Sequence, residues 1–237
     1  MSKYVIADIH GEYDMFLELI NKIGLKDSDE LYILGDVVDR GPHPIKTLLK
    51  LMEMSNVIPI VGNHELMALD GLKFLNSEIT HESIESVNAE TLGNLLAWQE
   101  SGSDTTIAEF RELSPEMRKE VIDFILNFSM YEEVAAGGKA FLLIHAGLGN
   151  YSPDKAIDDY SLRDIVWDRA DYDICYFKDI FVVTGHTPTQ VIEDNPKPGF
   201  IFRKNNHIAI DCGSCFPGGR LAAIRLDDGK EFYVERK

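Results

Sequence analysis

Short apolar runs alternate with stretches of helical period through the first 60 residues. Residues 3–8 (KYVIAD) read as a buried strand. Residues 12–24 read as a helix, because Phe16, Leu19, Ile20 and Ile23 recur at i, i+3, i+4 and i+7 and Gly24 can cap the end. LYILGD (31–36) is a second strand, Ile45, Leu48, Leu49 and Met52 repeat the helical spacing, and VIPIV (57–61) is a third strand. Strand–helix–strand–helix–strand implies a parallel sheet with right-handed crossovers.

The pattern changes between about 65 and 130. That stretch is acidic and rich in Ser, Thr and Asn, with helical period at Met117, Val121, Ile125 and Phe128. It reads as a helical insertion within one domain covering 1–237. Residues 131–136 and 139–147 then form a hairpin around Gly137-Gly138. Further strands are expected at 180–184, 207–211, 220–226 and 231–235, several of them antiparallel. The expected whole is a mixed α/β sandwich without internal repeats.

Composition narrows the function. Of 237 residues, 45% are hydrophobic and 27% charged, an ordinary globular balance. No apolar run approaches the roughly 20 residues that span a bilayer, and the N-terminus meets His10 and two acids too early for a secretory leader. A cytoplasmic protein is expected. The net charge of −17 repels nucleic-acid backbones and anionic membranes alike, so neither is an expected partner. An anionic substrate therefore requires concentrated local cations. Cys212 and Cys215 form a lone C-x-x-C with only Cys175 elsewhere, which reads as semi-buried thiols rather than a zinc site.

Three expected strands end in a glycine or short turn followed by a metal-ligand residue type. These are Asp8-Ile9-His10-Gly11, Gly35-Asp36 and Gly62-Asn63-His64. Asp8 to Asp36 is 28 positions and Asp36 to Asn63 is 27, each one strand–helix–strand unit of about 30 residues. Parallel strands separated by whole units bring these residues to the carboxyl edge, where open α/β sheets bind ligands. His145 and His186 follow apolar runs in the same way, whereas His43, His81 and His207 do not and are assigned to structure or surface. Mixed imidazole and carboxylate donors suit Mn²⁺, Fe or Zn²⁺. Six donors are too many for one open catalytic ion, so two ions are expected, with Asp36 placed to bridge them.

Together D-x-H-G (8–11), G-D-x-V-D-R-G (35–41), G-N-H-E (62–65), H-A-G (145–147) and G-H-T (185–187) resemble the signature of the phosphoprotein phosphatase family. That family belongs to the calcineurin-like metallophosphoesterase superfamily, and the match is to its short bacterial and phage type. The resemblance implies a mixed β-sandwich flanked by helices, a four-layer αββα fold. It implies that Asp8, His10 and Asp36 hold one ion and that Asp36, Asn63, His145 and His186 hold the other, with a shared hydroxide as the in-line nucleophile. His64 is then the general acid, Asp39 orients its imidazole, and Arg40 and Arg169 bind phosphate alongside Asn63 and His64. Arg163 rivals Arg169 on position. Glu65 takes a supporting or helix-start role.

Tyr151, Trp167 and the phenylalanines of 177–181 are assigned to core packing. H-E-x-x-H, P-loop and G-x-S-x-G motifs are absent. The substrate stays open between a phosphorylated protein or other phosphomonoester, ranked first, and a bis(5'-nucleosyl) tetraphosphate, which Gly41-Pro42 and H-A-G-L resemble. Asp39 argues against the symmetrical subtype of the latter, where a small residue is implied. A non-catalytic phosphopeptide-binding scaffold ranks last, because every catalytic residue type is present. Metal identity and oligomeric state are not encoded in these patterns.

Overall fold

The computed structural model describes residues 1–77 and 89–237. Its first part runs β1 (Lys3–Ile6), α1 (Tyr13–Ile23), β2 (Glu30–Leu34), α2 (Pro44–Met52) and β3 (Val57–Ile60). Helices α3 (Asn63–Asn76), α4 (Ala89–Glu100), α5 (Asp104–Glu112) and α6 (Pro115–Leu126) follow. The remainder runs β4 (Tyr131–Ala136), β5 (Lys139–Ile144), α7 (Leu162–Val166), β6 (Ile180–Thr184) and β7 (Phe202–Lys204), then β8 (His207–Ala209), β9 (Arg220–Arg225) and β10 (Glu231–Glu235).

Two five-stranded mixed sheets result, ordered β10-β9-β1-β2-β3 and β4-β5-β6-β8-β7. β1, β2 and β3 are parallel, with Ile6 opposite Ile33 and Ile33 opposite Pro59, while β9 closes the other side antiparallel. In the second sheet β5, β6 and β8 are parallel. Side-chain alternation at period two divides the core. Val5, Ala7, Tyr32 and Leu34 face Phe141, Leu143, Val183 and Ile208 between the sheets. Tyr4, Ile6, Leu31 and Ile33 pack outward with Phe16, Leu19 and Leu48 of α1 and α2. The outer side of the second sheet, with Leu142, Ile144 and Val182, is covered by Tyr160, Ile165, Val166 and Tyr176. The layers run helix, sheet, sheet, helix, as the sequence implied, although the last layer is one short helix and ordered loops.

The expected strands 3–8 and 31–36 stop at Ile6 and Leu34. The reason is local: Asp8 (φ 52°) and Asp36 (φ 51°) adopt left-handed backbone, which no strand accommodates. β7, three residues long, was too short to leave a periodic trace. The hairpin turn is as expected, with Gly137 (φ 55°) and Gly138 (φ 74°) supplying the positive dihedrals of a tight two-residue loop. The expected helix at 116–128 is α6, capped by Ser114 Oγ accepting from the Met117 N–H at 3.2 Å. α4 packs on α3 through Trp98: a Cβ on Gly71 would sit 2.0 Å from the indole, so only glycine allows this approach. His81 lies outside the described residues. Among those described, no helix is long and apolar enough to cross a membrane.

Candidate active site

The turns after β1, β2, β6 and around Arg40 hold six non-glycine residues at positive φ: Asp8, His10, Asp36, Asp39, Arg40 and His186. Such backbone costs of order 1–3 kcal/mol per residue and persists only where surrounding bonds over-determine it. Those bonds are present. The His10 and Gly11 N–H groups each donate at 2.8 Å, to the Asp36 and Val37 carbonyls, stitching the first turn to the second. Glu65, fully buried at the start of α3, accepts from the Asp36 (2.8 Å), Val37 (2.8 Å) and Gly62 (2.9 Å) N–H groups. A Cβ on Gly62 would lie 2.3 Å from Asp36 Oδ1, so glycine is what lets the third turn reach the second.

The strand-end geometry gathers two groups of donors that share Asp36: His10, Asp36 and His64, and Asp36, His145 and His186. Asp36 Oδ2 lies 3.6 Å from His10 Nε2, and Oδ1 lies 3.4 Å from His145 Nε2. Asn63 Oδ1 sits 3.0 Å from His145 Nε2 and 2.9 Å from His186 Nδ1. Asp8 accepts the His186 N–H on both carboxylate oxygens at 3.0 Å. Two imidazoles are oriented from behind. His10 Nδ1 donates to the Val38 carbonyl at 3.0 Å and His145 Nδ1 to the Leu34 carbonyl at 2.6 Å, so each Nε2 faces inward as an acceptor.

Electrostatics separates these groups. Burial, with the charges of Asp211 and Asp36 beside it, holds the Asp8 carboxyl well above its usual range. Burial likewise keeps the imidazoles of His10, well below its ordinary value, and His186, at about 4, neutral. Burial also opposes the charged form of Asp36, but the imidazoles of His145, His64, His10 and His186 outweigh it and hold that carboxyl low. Crowded carboxylates and inward-facing neutral imidazoles form a donor set that divalent cations would neutralise.

Beside the donors, His64 Nδ1 donates to Asp39 Oδ2 at 2.7 Å. Burial disfavours the imidazolium, yet the Asp36 and Asp39 carboxylates prevail and raise His64 above the ordinary histidine range. Arg40 spans the two inward Nε2 atoms, 3.0 Å from His10 and 3.0 Å from His64, with its guanidinium 5.7 Å over the Phe216 ring.

Comparison with known proteins identifies the family. The sequence profile of the calcineurin-like phosphoesterases matches residues 1–213. The chain belongs to that family. It is 28% identical, over 94% of its length and 89% of the relative's, to the asymmetrical bis(5'-nucleosyl)-tetraphosphatase PrpE of Halalkalibacterium halodurans. It is 25% identical to a symmetrical bis(5'-nucleosyl)-tetraphosphatase of Dechloromonas aromatica, over 99% of this chain and 96% of the other. A protein serine/threonine phosphatase structure from Saccharomyces cerevisiae shares the fold, with a TM-score of 0.58 at 14% identity over 99% of this chain and 79% of that one. This is a metal-dependent phosphoesterase family, and the phosphoesterase described here carries candidate donors for two ions.

The two rival arginines of the phosphoesterase lie in different surroundings. Arg169 is exposed, but its charge acts on His186 and Asp211, and it lines a recess of about 460 Å³ with Tyr172 and Ile192. Arg163 lies with its guanidinium 5.9 Å from the Trp167 ring centroid. Tyr151 stacks on Tyr176 at 4.4 Å and meets Phe177 edge-on, in keeping with packing. His207 is buried against Tyr176 with Nε2 donating to the Ile174 carbonyl, and His43 pairs with Glu109 at 2.8 Å. Cys212 is buried and Cys215 half-buried.

Sequence reasoning missed Asp211, a buried carboxyl near Asp8 and Asp36 that burial pushes up to about 7. Its signal was available, because HIAI-D-C-G repeats the pattern of apolar run, acid and turn. It also missed Trp98 and Thr106, which reach Asp39 from α4 and α5 and have no local signature.

Proposed function

We propose that this phosphoesterase hydrolyses bis(5'-nucleosyl) tetraphosphates, cleaving the phosphoanhydride chain asymmetrically. The observation that carries the substrate is the end-to-end similarity to the asymmetrical relatives, of which that from Halalkalibacterium halodurans is one. Asp39 supports the asymmetrical mode, because the symmetrical subtype is implied to carry a small residue there. This reverses the order of the two substrate classes drawn from motifs alone, since the motifs describe the phosphoryl-transfer centre and are common to both.

Asp8, His10 and Asp36 would hold one ion and Asp36, Asn63, His145 and His186 the other; Mn²⁺ is the first expectation, and Fe or Zn²⁺ also suit the mixed nitrogen and oxygen donors. When bound, the ions activate water and neutralise charge on the phosphoryl group. Arg40 and Arg169 bind phosphate oxygens, for which the planar guanidinium is suited. His64 delivers a proton from Nε2 to the leaving oxygen, while Asp39 holds Nδ1–H and fixes the ring.

Mn²⁺-loaded protein incubated with diadenosine tetraphosphate should yield ATP and AMP in equal amounts on anion exchange. Two ADP would assign the symmetrical mode. Turnover confined to phosphoserine or phosphotyrosine peptides would restore the protein-phosphatase reading. Arg40→Ala is expected to raise KM about tenfold and lower kcat/KM by about 10². Unchanged kinetics would place the phosphate clamp elsewhere.

A further inference from the structure

Asp39 is fully buried, and among the described residues three side chains donate hydrogen bonds to its carboxyl group. One donor is His64. The other two come from the helical segment between β3 and β4. Trp98 Nε1–H, on α4, is shared between Oδ2 (2.9 Å) and Oδ1 (3.1 Å). Thr106 Oγ1–H, on α5, donates to Oδ1 at 2.7 Å, and the Thr106 hydroxyl oxygen in turn accepts the Asp39 N–H at 3.0 Å. Thr106 therefore fixes both the carboxylate and the positive-φ backbone that carries it.

The placement of both donors is built into the packing. Trp98 is 1% exposed and lies where Gly71 has no Cβ, so the indole cannot swing away. Gly102, between α4 and α5, accepts the Arg40 N–H at 2.8 Å, joining the same segment to the phosphate clamp. A carboxylate that orients a histidine is only as fixed as its own remaining bonds. Among the described residues those bonds come from α4 and α5, two helices that supply none of the candidate metal donors.

We propose that Trp98 and Thr106 are positioning residues for proton delivery, holding Asp39 so that His64 Nε2 meets the leaving oxygen. The inference rests on the His64–Asp39 reading of the site. Loss of either donor leaves a buried carboxylate oxygen under-bonded and free to rotate away from Nδ1, misaligning the proton without touching the metal donors.

The test compares Trp98→Phe, Thr106→Val, Thr106→Ser and Asp39→Asn on an alkyl phosphate, an activated aryl phosphate and diadenosine tetraphosphate. Trp98→Phe and Thr106→Val should lower kcat on the alkyl phosphate about tenfold, with KM within twofold and the aryl rate little changed. Thr106→Ser, which keeps the hydroxyl, should restore most of the rate. In an Asp39→Asn background Trp98→Phe should add nothing, because both act through one carboxylate. The ¹⁵N resonance of His64 Nδ1 should shift in both single variants, a readout independent of turnover. Equal losses on alkyl and aryl substrates, or additivity with Asp39→Asn, would overturn the inference while leaving the His64 assignment standing. Asp39→Asn losing both substrates equally would overturn the two together.

Discussion

Replacing Asp36 with asparagine is expected to empty both metal sites in one step and to lower kcat/KM by about 10³ or more. The asparagine would keep the shape of the carboxylate and could still accept the His64 N–H, now 3.1 Å from Oδ1. It could not serve both groups of donors. One carboxylate oxygen faces His10 at 3.6 Å and the other faces His145 at 3.4 Å. An amide turns an N–H donor toward one of them, and the charge that the imidazoles of His145, His64, His10 and His186 support is lost. Metal analysis of desalted protein by plasma mass spectrometry should find well under one equivalent. Retention of two equivalents would refute the bridging assignment.

His64→Asn should act differently, lowering turnover of an alkyl phosphate by about 10²–10⁴-fold while leaving two metal equivalents bound. The loss should shrink for the phosphoanhydride, whose nucleotide leaving group needs less protonation, and nearly vanish for an activated aryl phosphate. Metal content decides a real alternative. His64 Nε2 lies 4.0 Å from Asp36 Oδ2 and belongs geometrically to the first donor group, so a ligand role is open to it on distance. The Asp36 and Asp39 carboxylates raise His64 above the ordinary histidine range while burial lowers His10 and His186, and a histidine that keeps its proton suits the acid role. Loss of one equivalent in His64→Asn would make it a ligand instead.

The legibility of this site has a definite physical basis. Asp8, His10, Asp36, Asn63, His145 and His186 each follow an apolar strand at its carboxyl end, and a parallel sheet brings such ends to one edge. Strand identity was therefore enough to collect them. The strand limits were misplaced by two residues at β1 and β2, since apolar character continues through Ala7 and Gly35 while the backbone has already turned left-handed at Asp8 and Asp36. Arg169 and Arg163 were inseparable by position, because two arginines six residues apart in a short helical turn region carry the same local pattern. Only the packed structure places one near His186 and the other by Trp167.

Sequence by itself determined which donor types gather: Asp8, His10, Asp36, Asn63, His64, His145 and His186 follow apolar strands, a local property, while the roles expected of His64, Asp39 and Arg40 came from resemblance to the phosphatase signature. Tertiary structure alone decided how Asp39 and the Asp36 turn are held. Trp98 is 59 positions and Thr106 67 positions from Asp39, and Glu65 reaches back 29 positions to the Asp36 N–H. Bonds of that separation leave no period in the sequence, because they depend on how whole helices pack across the turns rather than on any residue's neighbours.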